Sequence, residues 1–279
     1  MCATCGCGDD AAAVITIPHE HRRHGGDLDG DHRHDHAHPH DHDHDHLHLP
    51  VTETVTLEQK VLAKNDELAA RNRDRLARLG ILALNMTSSP GAGKTTLLER
   101  TIRELAEVPT AVIEGDQATL LDAERIRATG RPVVQINTGA GCHLDAQMMS
   151  GALDALDPAP GTLLFVENVG NLVCPALFDL GESGKVVVIS VTEGTDKPLK
   201  YPHMFAAAQL VLLNKIDLLP YVDFDPARCE QYANSVNPGI EIIPVSATTG
   251  EGLARWYEWL RARQSLSNRG AIDDLSPRT

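Results

Sequence analysis

One short run suits a polyphosphate: Ser88-Ser89-Pro90-Gly91-Ala92-Gly93-Lys94-Thr95-Thr96. The phosphate-loop pattern is G-x-x-x-x-G-K-[ST]. Here Ser88 takes the first glycine's place and the remainder fits. Pro90, Gly91, Ala92 and Gly93 would wrap the phosphates, and Lys94 would reach the β and γ groups. The Thr95 hydroxyl, with Thr96 beside it, would complete a Mg²⁺ shell. A following helix would turn its free N–H groups toward the anion. Much later stands Asn214-Lys215-Ile216-Asp217, an N-K-x-D run. The Asp217 carboxylate can accept from both N1–H and the 2-amino group of guanine, a donor pair that adenine lacks. Lys215 would lie along the base, and Asn214 would tie this loop to the phosphate loop. Ser246-Ala247-Thr248 matches the backbone element that meets the guanine oxygen. In this order the three runs describe a GTP site.

Two acidic runs supply the rest of that chemistry. Glu114-Gly115-Asp116-Gln117 offers Asp116 for metal-linked switching. Glu167-Asn168-Val169-Gly170 stands where most GTPases carry D-x-x-G, so Glu167 would contact Mg²⁺ through water and the Gly170 N–H would sense the γ-phosphate. Positioning and charge neutralisation dominate phosphoryl transfer, which makes Lys94, Asp116, Glu167 and Gly170 the expected catalytic set. No glutamine occupies the usual water-orienting position. Slow intrinsic hydrolysis is expected, accelerated by a partner or a second subunit.

A second chemistry is metal binding. Cys2, Cys5 and Cys7 bring three thiols into six residues, a set that suits Zn²⁺, Ni²⁺ or Cu⁺. If Met1 is removed, the freed amine of Cys2 would complete a square-planar Ni²⁺ site with them; a histidine from the tail would instead favour a tetrahedral Zn²⁺ site. Twelve of the fourteen histidines lie before residue 50, in a His/Asp run that binds divalent metals without choosing among them. Cys142, His143 and Cys174 form a looser group. Neighbours on a helix diverge by about 100°, so Cys142 and His143 are not expected to serve one metal from one chain. Either two chains share the site, or these are ordinary buried cysteines beside a solvated histidine. Cys229 reads as a core or surface thiol.

The elements that must position these groups follow from hydrophobic patterning. Short Val/Ile/Leu runs at 81–86, 111–114, 133–136, 163–166, 186–191, 210–213 and 240–245 read as strands buried on both faces. Helical stretches at 95–107, 120–128 and 144–156 separate them. The alternation is that of an α/β fold, a P-loop NTPase with a mostly parallel sheet flanked by helices, whose ligands bind beyond the carboxyl ends of the strands. The chain divides into a Cys motif (1–8), a disordered His/Asp-rich metal-binding tail (9–55), a helix (56–80), the GTPase domain (81–268) and a C-terminal tail (269–279). The helix is expected to open on a Thr56–Gln59 capping box and to bury Leu57, Val61, Leu68 and Leu76. It docks on its own domain or on a partner, with Arg71–Arg78 as a candidate partner surface.

Composition excludes other classes. The net charge of −14 argues against nucleic acid. No apolar run approaches the ~20 residues of a membrane span. Sparse cysteines without an export signal point to reduced thiols and the cytoplasm.

Together these motifs resemble the HypB family, nickel-inserting GTPases of [NiFe]-hydrogenase maturation. The resemblance rests on Cys2-x-x-Cys5-Gly6-Cys7, the His-rich insert, Ser89–Thr96, Glu114–Gln117, Gly141-Cys142-His143, Glu167–Pro175 and Asn214–Asp217. It implies a tight Ni²⁺ site at Cys2, Cys5 and Cys7, and a weaker Ni²⁺/Zn²⁺ site from Cys142, His143 and Cys174 at a dimer interface formed with GTP. The partners implied are the small zinc-containing accessory protein HypA and the hydrogenase large-subunit precursor. Urease-type nickel GTPases are similar but carry Cys-Pro-His at the internal motif. A metal-storage protein with a secondary GTPase is the competing function.

Overall fold

The computed structural model describes residues 14–16, 51–116, 121–139 and 141–275. Eight strands form one sheet in the order β1-β4-β3-β5-β2-β6-β7-β8. They are β1 (Val14–Thr16), β2 (Leu82–Ser88), β3 (Thr110–Asp116), β4 (Val133–Asn137), β5 (Leu163–Glu167), β6 (Gly184–Ser190), β7 (Ala208–Asn214) and β8 (Glu241–Pro244). Seven are parallel. β1 alone is antiparallel, pairing Val14 with Asn137 and Thr16 with Gln135. The expected seven strands are all present. β1 corrects the reading of residues 9–55 as wholly disordered: an isolated Val-Ile-Thr is too short to show periodicity, and it is a strand because β4 has an open edge to pair with.

The helices are α1 (Val51–Arg78), α2 (Lys94–Glu104), α3 (Leu121–Arg127), α4 (Ala146–Leu156), α5 (Cys174–Leu177), α6 (Lys197–Lys200), α7 (Pro202–Ala207), α8 (Pro226–Val236) and α9 (Leu253–Leu275). Along β2, Leu82, Leu84 and Met86 pack with Leu97, Leu98 and Ile102 of α2 and with Trp256 of α9. Ala83 faces the opposite layer, with Leu76 of α1 and Met149 and Leu153 of α4. The Trp256 indole N–H donates to the Thr101 hydroxyl at 3.0 Å, so the largest core side chain is also polar-satisfied.

Three boundaries differ from expectation. α1 begins at Val51, so Thr56 lies inside the helix and is not its N-cap. The stretch Val51–Val55 contains no helix breaker, and Pro50 before it is compatible with a helix start. α9 runs to Leu275, through the boundary placed at 268. The buried stripe of α1 is Asn65, Ala69, Asn72 and Leu76, whereas Val61 is exposed. Asn72 donates to the Ala146 and Leu180 carbonyls, Asn65 donates to the Asp179 carbonyl, and the Ala146 N–H donates to Asn65. Two asparagines therefore replace apolar side chains as the contact, which hydrophobic patterning does not register.

α1 thus docks on its own domain. Arg73 pairs with Asp179 and Arg75 with Asp154. Arg71 pairs with Glu67, and the Arg78 Nε donates to the Asp74 carbonyl. The arginines read as a partner surface are engaged within the chain. No helix among the described residues is long and apolar enough to cross a membrane.

Candidate functional site

A cleft of about 540 Å³ opens where β2, β3 and β5 end, lined by residues 88–96, Glu114, Asp116, Glu167, Gly170 and Lys215. Its loop turns on Gly91 (φ +74°) and Gly93 (φ +92°), a left-handed backbone that glycine adopts without a steric penalty. α2 starts at Lys94, immediately beyond. Asn214 Nδ2 donates to the Ala92 carbonyl at 2.9 Å, and Asn214 Oδ1 accepts the Ala247 N–H at 3.1 Å. Lys215, itself left-handed (φ +63°), donates to the Gly91 carbonyl at 2.7 Å. The Ser246 hydroxyl donates to Asp217 at 2.6 Å. Asn214, Lys215, Asp217, Ser246 and Ala247 are thus gathered beside residues 90–96, although up to 157 positions separate them in sequence.

Glu167 is 3% exposed, with Oε1 2.6 Å from the Thr95 hydroxyl and 3.1 Å from the Lys94 ammonium. Its Oε2 is buried and finds no hydrogen-bond partner. An orphaned carboxylate oxygen beside Thr95 and Asp116 is a donor set that fits a hard divalent cation such as Mg²⁺, held directly or through water. Gly170 lies against the loop, where a Cβ would stand 3.2 Å from the Pro90 Cα.

One cleft residue was missed from sequence. Glu114 pairs across the ladder with Glu167 and is 2% exposed. Burial, reinforced by the Glu167, Asp116 and Asp122 carboxylates, pushes its carboxyl up to about 8. The run Glu114-Gly115-Asp116 had drawn attention only to Asp116, yet strand alternation puts both acids on one face. The raised value has a consequence for stability. The unfolded chain ionises this group near 4.5 and the folded one only near 8, so in metal-free, nucleotide-free protein folding stability should fall as pH rises through that window. The slope would be at most ~1.4 kcal/mol per pH unit. Glu114→Gln should remove that decline, with little change at pH 5 and a stability gain at pH 8 in urea titrations. Parallel pH profiles for the two proteins would refute a neutral Glu114.

Cys142, His143 and Cys174 come together within one chain, their ligand atoms all within 4.8 Å of one another. The expected divergence does not arise because Cys142 and His143 lie in a bend before α4, not in a helix. Asp145 caps that helix by accepting the Met148 N–H at 2.7 Å, which sets where the bend ends. The two Sγ atoms are 3.0 Å apart, and Cys142 Sγ is 3.6 Å from His143 Nδ1. The imidazole packs on Phe178, centroids 3.9 Å apart. Burial lowers its pKa, against the opposing pull of Asp145, and so favours the neutral, metal-binding form. Two thiols and one imidazole fit a borderline cation. Cys229 is a core thiol, 1% exposed and pushed up to about 11 by burial. Cys2, Cys5, Cys7 and the His/Asp run lie outside the described residues.

Buried polar groups join cleft and cluster. Asn168, next to Glu167, accepts the Leu144 and Val169 N–H groups at 3.2 and 3.0 Å and donates to Asn85 at 3.2 Å. Asn85 donates to Glu182, which pairs with Lys185, and Lys185 donates to the Phe178 carbonyl. Asn171 donates to the Cys142 carbonyl at 3.2 Å, and Thr138 spans from the Asp116 carbonyl to the Gly141 carbonyl.

A family profile described as CobW/HypB/UreG, nucleotide-binding domain, matches residues 82–244. The hydrogenase maturation factor HypB of Azotobacter vinelandii is 60% identical over 220 residues, covering 78% of this chain and 73% of its own. That of Escherichia coli K12 is 61% identical over 209 residues, covering 75% and 72%. Among solved structures, HypB from Archaeoglobus fulgidus is 40% identical with a TM-score of 0.68, over 72% of this chain and 99% of that one. HypB from Helicobacter pylori, solved in complex with nickel, is 37% identical with a TM-score of 0.69, over 74% and 97%. With a nucleotide-binding profile across more than half its length and relatives near 60% identity, this chain belongs to the HypB hydrogenase maturation factors of the CobW/HypB/UreG family.

Proposed function

We propose that this chain is a GTP-hydrolysing nickel metallochaperone that passes Ni²⁺ to the [NiFe]-hydrogenase large-subunit precursor with the help of a HypA-type zinc protein. One observation carries the reading: the loop leaving β5 holds Glu167 against the phosphate-loop lysine and, seven residues on, Cys174 in the thiol–imidazole cluster. Residues 90–96, Lys94 among them, bind the triphosphate, and Thr95, Asp116 and Glu167 would hold a Mg²⁺ that neutralises its charge. Asp217 reads guanine, with Asn214, Lys215, Ser246 and Ala247 holding its loop. The N–H of Gly170, which packs on Pro90, would register the γ-phosphate. Its loss would relax the loop and displace Cys174, and a change of ~1.4 kcal/mol in the metal site is tenfold in affinity. GTP would hold a metal-loaded homodimer in the cytoplasm, and hydrolysis would favour release. Cys142, His143 and Cys174 hold Ni²⁺ or Zn²⁺ in this cycle, and Cys2, Cys5 and Cys7 hold a second Ni²⁺.

The test uses a Cys2/Cys5/Cys7→Ala variant lacking residues 24–48, which isolates the internal site. Ni²⁺ and Zn²⁺ affinity and solution mass are measured with GDP and with a non-hydrolysable GTP analogue. At least a tenfold nucleotide-dependent change in affinity, together with a dimer shift, is expected. Identical values with both nucleotides would remove the gating and leave metal storage in the tail as the better account.

A further inference from the structure

We propose that Arg125 of α3 is a substrate-binding residue whose guanidinium holds the α-phosphate of the nucleotide, and does so equally for GDP and GTP. This rests on the guanine-nucleotide reading of the cleft, but not on metal transfer or on nucleotide gating. Three observations carry it.

The first is the charge of the cleft. Its lining carries four carboxyl groups, Glu114, Asp116, Asp122 and Glu167, and three cations, Lys94, Arg125 and Lys215. A polyphosphate entering a lining with more acids than bases gains from every cation it can reach. Lys94 stands 3.1 Å from Glu167 and is the cation for the β and γ groups. Lys215 donates to the Gly91 carbonyl at 2.7 Å and belongs to the base. Arg125 is the cation left for the remaining phosphate.

The second is placement. Arg125 Nη2 donates to the Thr96 hydroxyl at 3.1 Å and to Glu99 at 2.9 Å, while Nη1 donates to Asp122 at 3.2 Å. Thr96 lies in the first turn of α2, at the other end of the phosphate loop from Pro90, on which Gly170 packs. The Pro90 end serves the γ-phosphate, and the loop N–H groups cradle the α and β groups. The helix start at Thr96 is therefore the end left for the α-phosphate, and free N–H groups at a helix start favour an anion.

The third is that the guanidinium is fixed but not used up. Glu99 of α2 and Asp122 of α3 hold it from two sides, yet the side chain is 41% exposed. Arginine has five N–H donors. Of its acceptors among the described residues, the Thr96 hydroxyl is the neutral one. A phosphate oxygen at that end of the loop is a charged acceptor, and such bonds are about twice as strong as neutral ones. The phosphate thus takes the hydroxyl's place while both ion pairs persist. Because those pairs already order the side chain, little rotamer freedom remains to be lost on binding.

The chemistry sets what this contact can do. The α-phosphate is common to GMP, GDP and GTP, and its charge does not change as the γ group leaves. An interaction equally strong in ground and transition states lowers KM and leaves kcat alone.

The experiment displaces a fluorescent GDP derivative from the full chain with GMP, GDP and a non-hydrolysable GTP analogue, and measures KM and kcat for GTP. Arg125→Ala should weaken all three ligands alike, about tenfold or more, the size of one hydrogen bond to a charged group. It should raise KM by the same factor and leave kcat unchanged. Arg125→Lys should recover part of the affinity, since it restores the charge without the planar fork. A residue that only braced α3 would give a different split, because α3 follows the strand that ends in Asp116, and kcat would fall as well. That fall would overturn the assignment, and so would unchanged affinities in both variants. A loss confined to the GTP analogue would move the guanidinium to the γ-phosphate and overturn it too. If the unsubstituted chain binds none of the three ligands, the guanine-nucleotide reading itself fails, a result that no Arg125 variant can produce.

Discussion

Alanine at Gly93 is expected to lower guanine-nucleotide affinity by more than a hundredfold. The residue sits at φ +92°, where a Cβ costs about 1–2 kcal/mol in backbone strain. That Cβ would also stand 2.6 Å from Asn214 Nδ2. Asn214 cannot yield cheaply, because it is 1% exposed and bonded to the Ala92 carbonyl and the Ala247 N–H. Stranding either group costs about 1–3 kcal/mol. The total of about 3–4 kcal/mol corresponds to more than a hundredfold. Gly91→Ala is the control. Its φ is +74°, but nothing lies within 4 Å of the added Cβ, so only the strain applies and the loss should be nearer tenfold. Calorimetric titration with GDP separates the two, and equal losses would show that Asn214 does not brace the loop.

The second large effect is expected at Asn168. Its side chain is the meeting point of the cleft and the thiol cluster, 1% exposed and bonded to Leu144, Val169 and Asn85. Leu144 follows His143, so this bond anchors the end of the loop that carries Cys142 and His143 from the residue just after Glu167. Asn168→Ala leaves two N–H groups and one amide oxygen buried without partners, and should cost about 3–5 kcal/mol of stability. It should also lower metal affinity at Cys142, His143 and Cys174 more than tenfold, while GDP affinity changes less. Asn168→Asp keeps an acceptor for both N–H groups but sets a charge against the Asn85 oxygen, and should recover part of the metal affinity. Urea midpoints and Co²⁺ absorption check both effects. A fall of less than 1 kcal/mol with unaltered Co²⁺ binding would show that the metal loop is held from elsewhere.

The cleft was legible in the residues because its requirements are local. Phosphate needs glycines at special backbone angles followed by a helix start, and Lys94 and Thr95 must sit within that turn. Strand positions were legible for a similar reason: strands buried on both faces are continuous Val/Ile/Leu runs. Glu114 was less visible, because its significance is burial opposite Glu167, a partner fifty-three residues away. The dock of α1 was hidden by chemistry: Asn65 and Asn72 look like surface residues until the carbonyls they satisfy are placed beside them.

The sequence alone determined the α/β alternation, the phosphate-loop pattern, the N-K-x-D run and the cysteine and histidine donor types. Each depends on short-range patterns, in which periodicity or spacing states the geometry. Only the tertiary structure decided that Cys142, His143 and Cys174 meet in one chain, that Asn168 joins them to the cleft, and that β1 pairs antiparallel on the β4 edge of the sheet. These depend on which strand ends become neighbours. That follows from packing the whole sheet, since a bend's direction and an edge strand's partner are set by contacts far away in sequence.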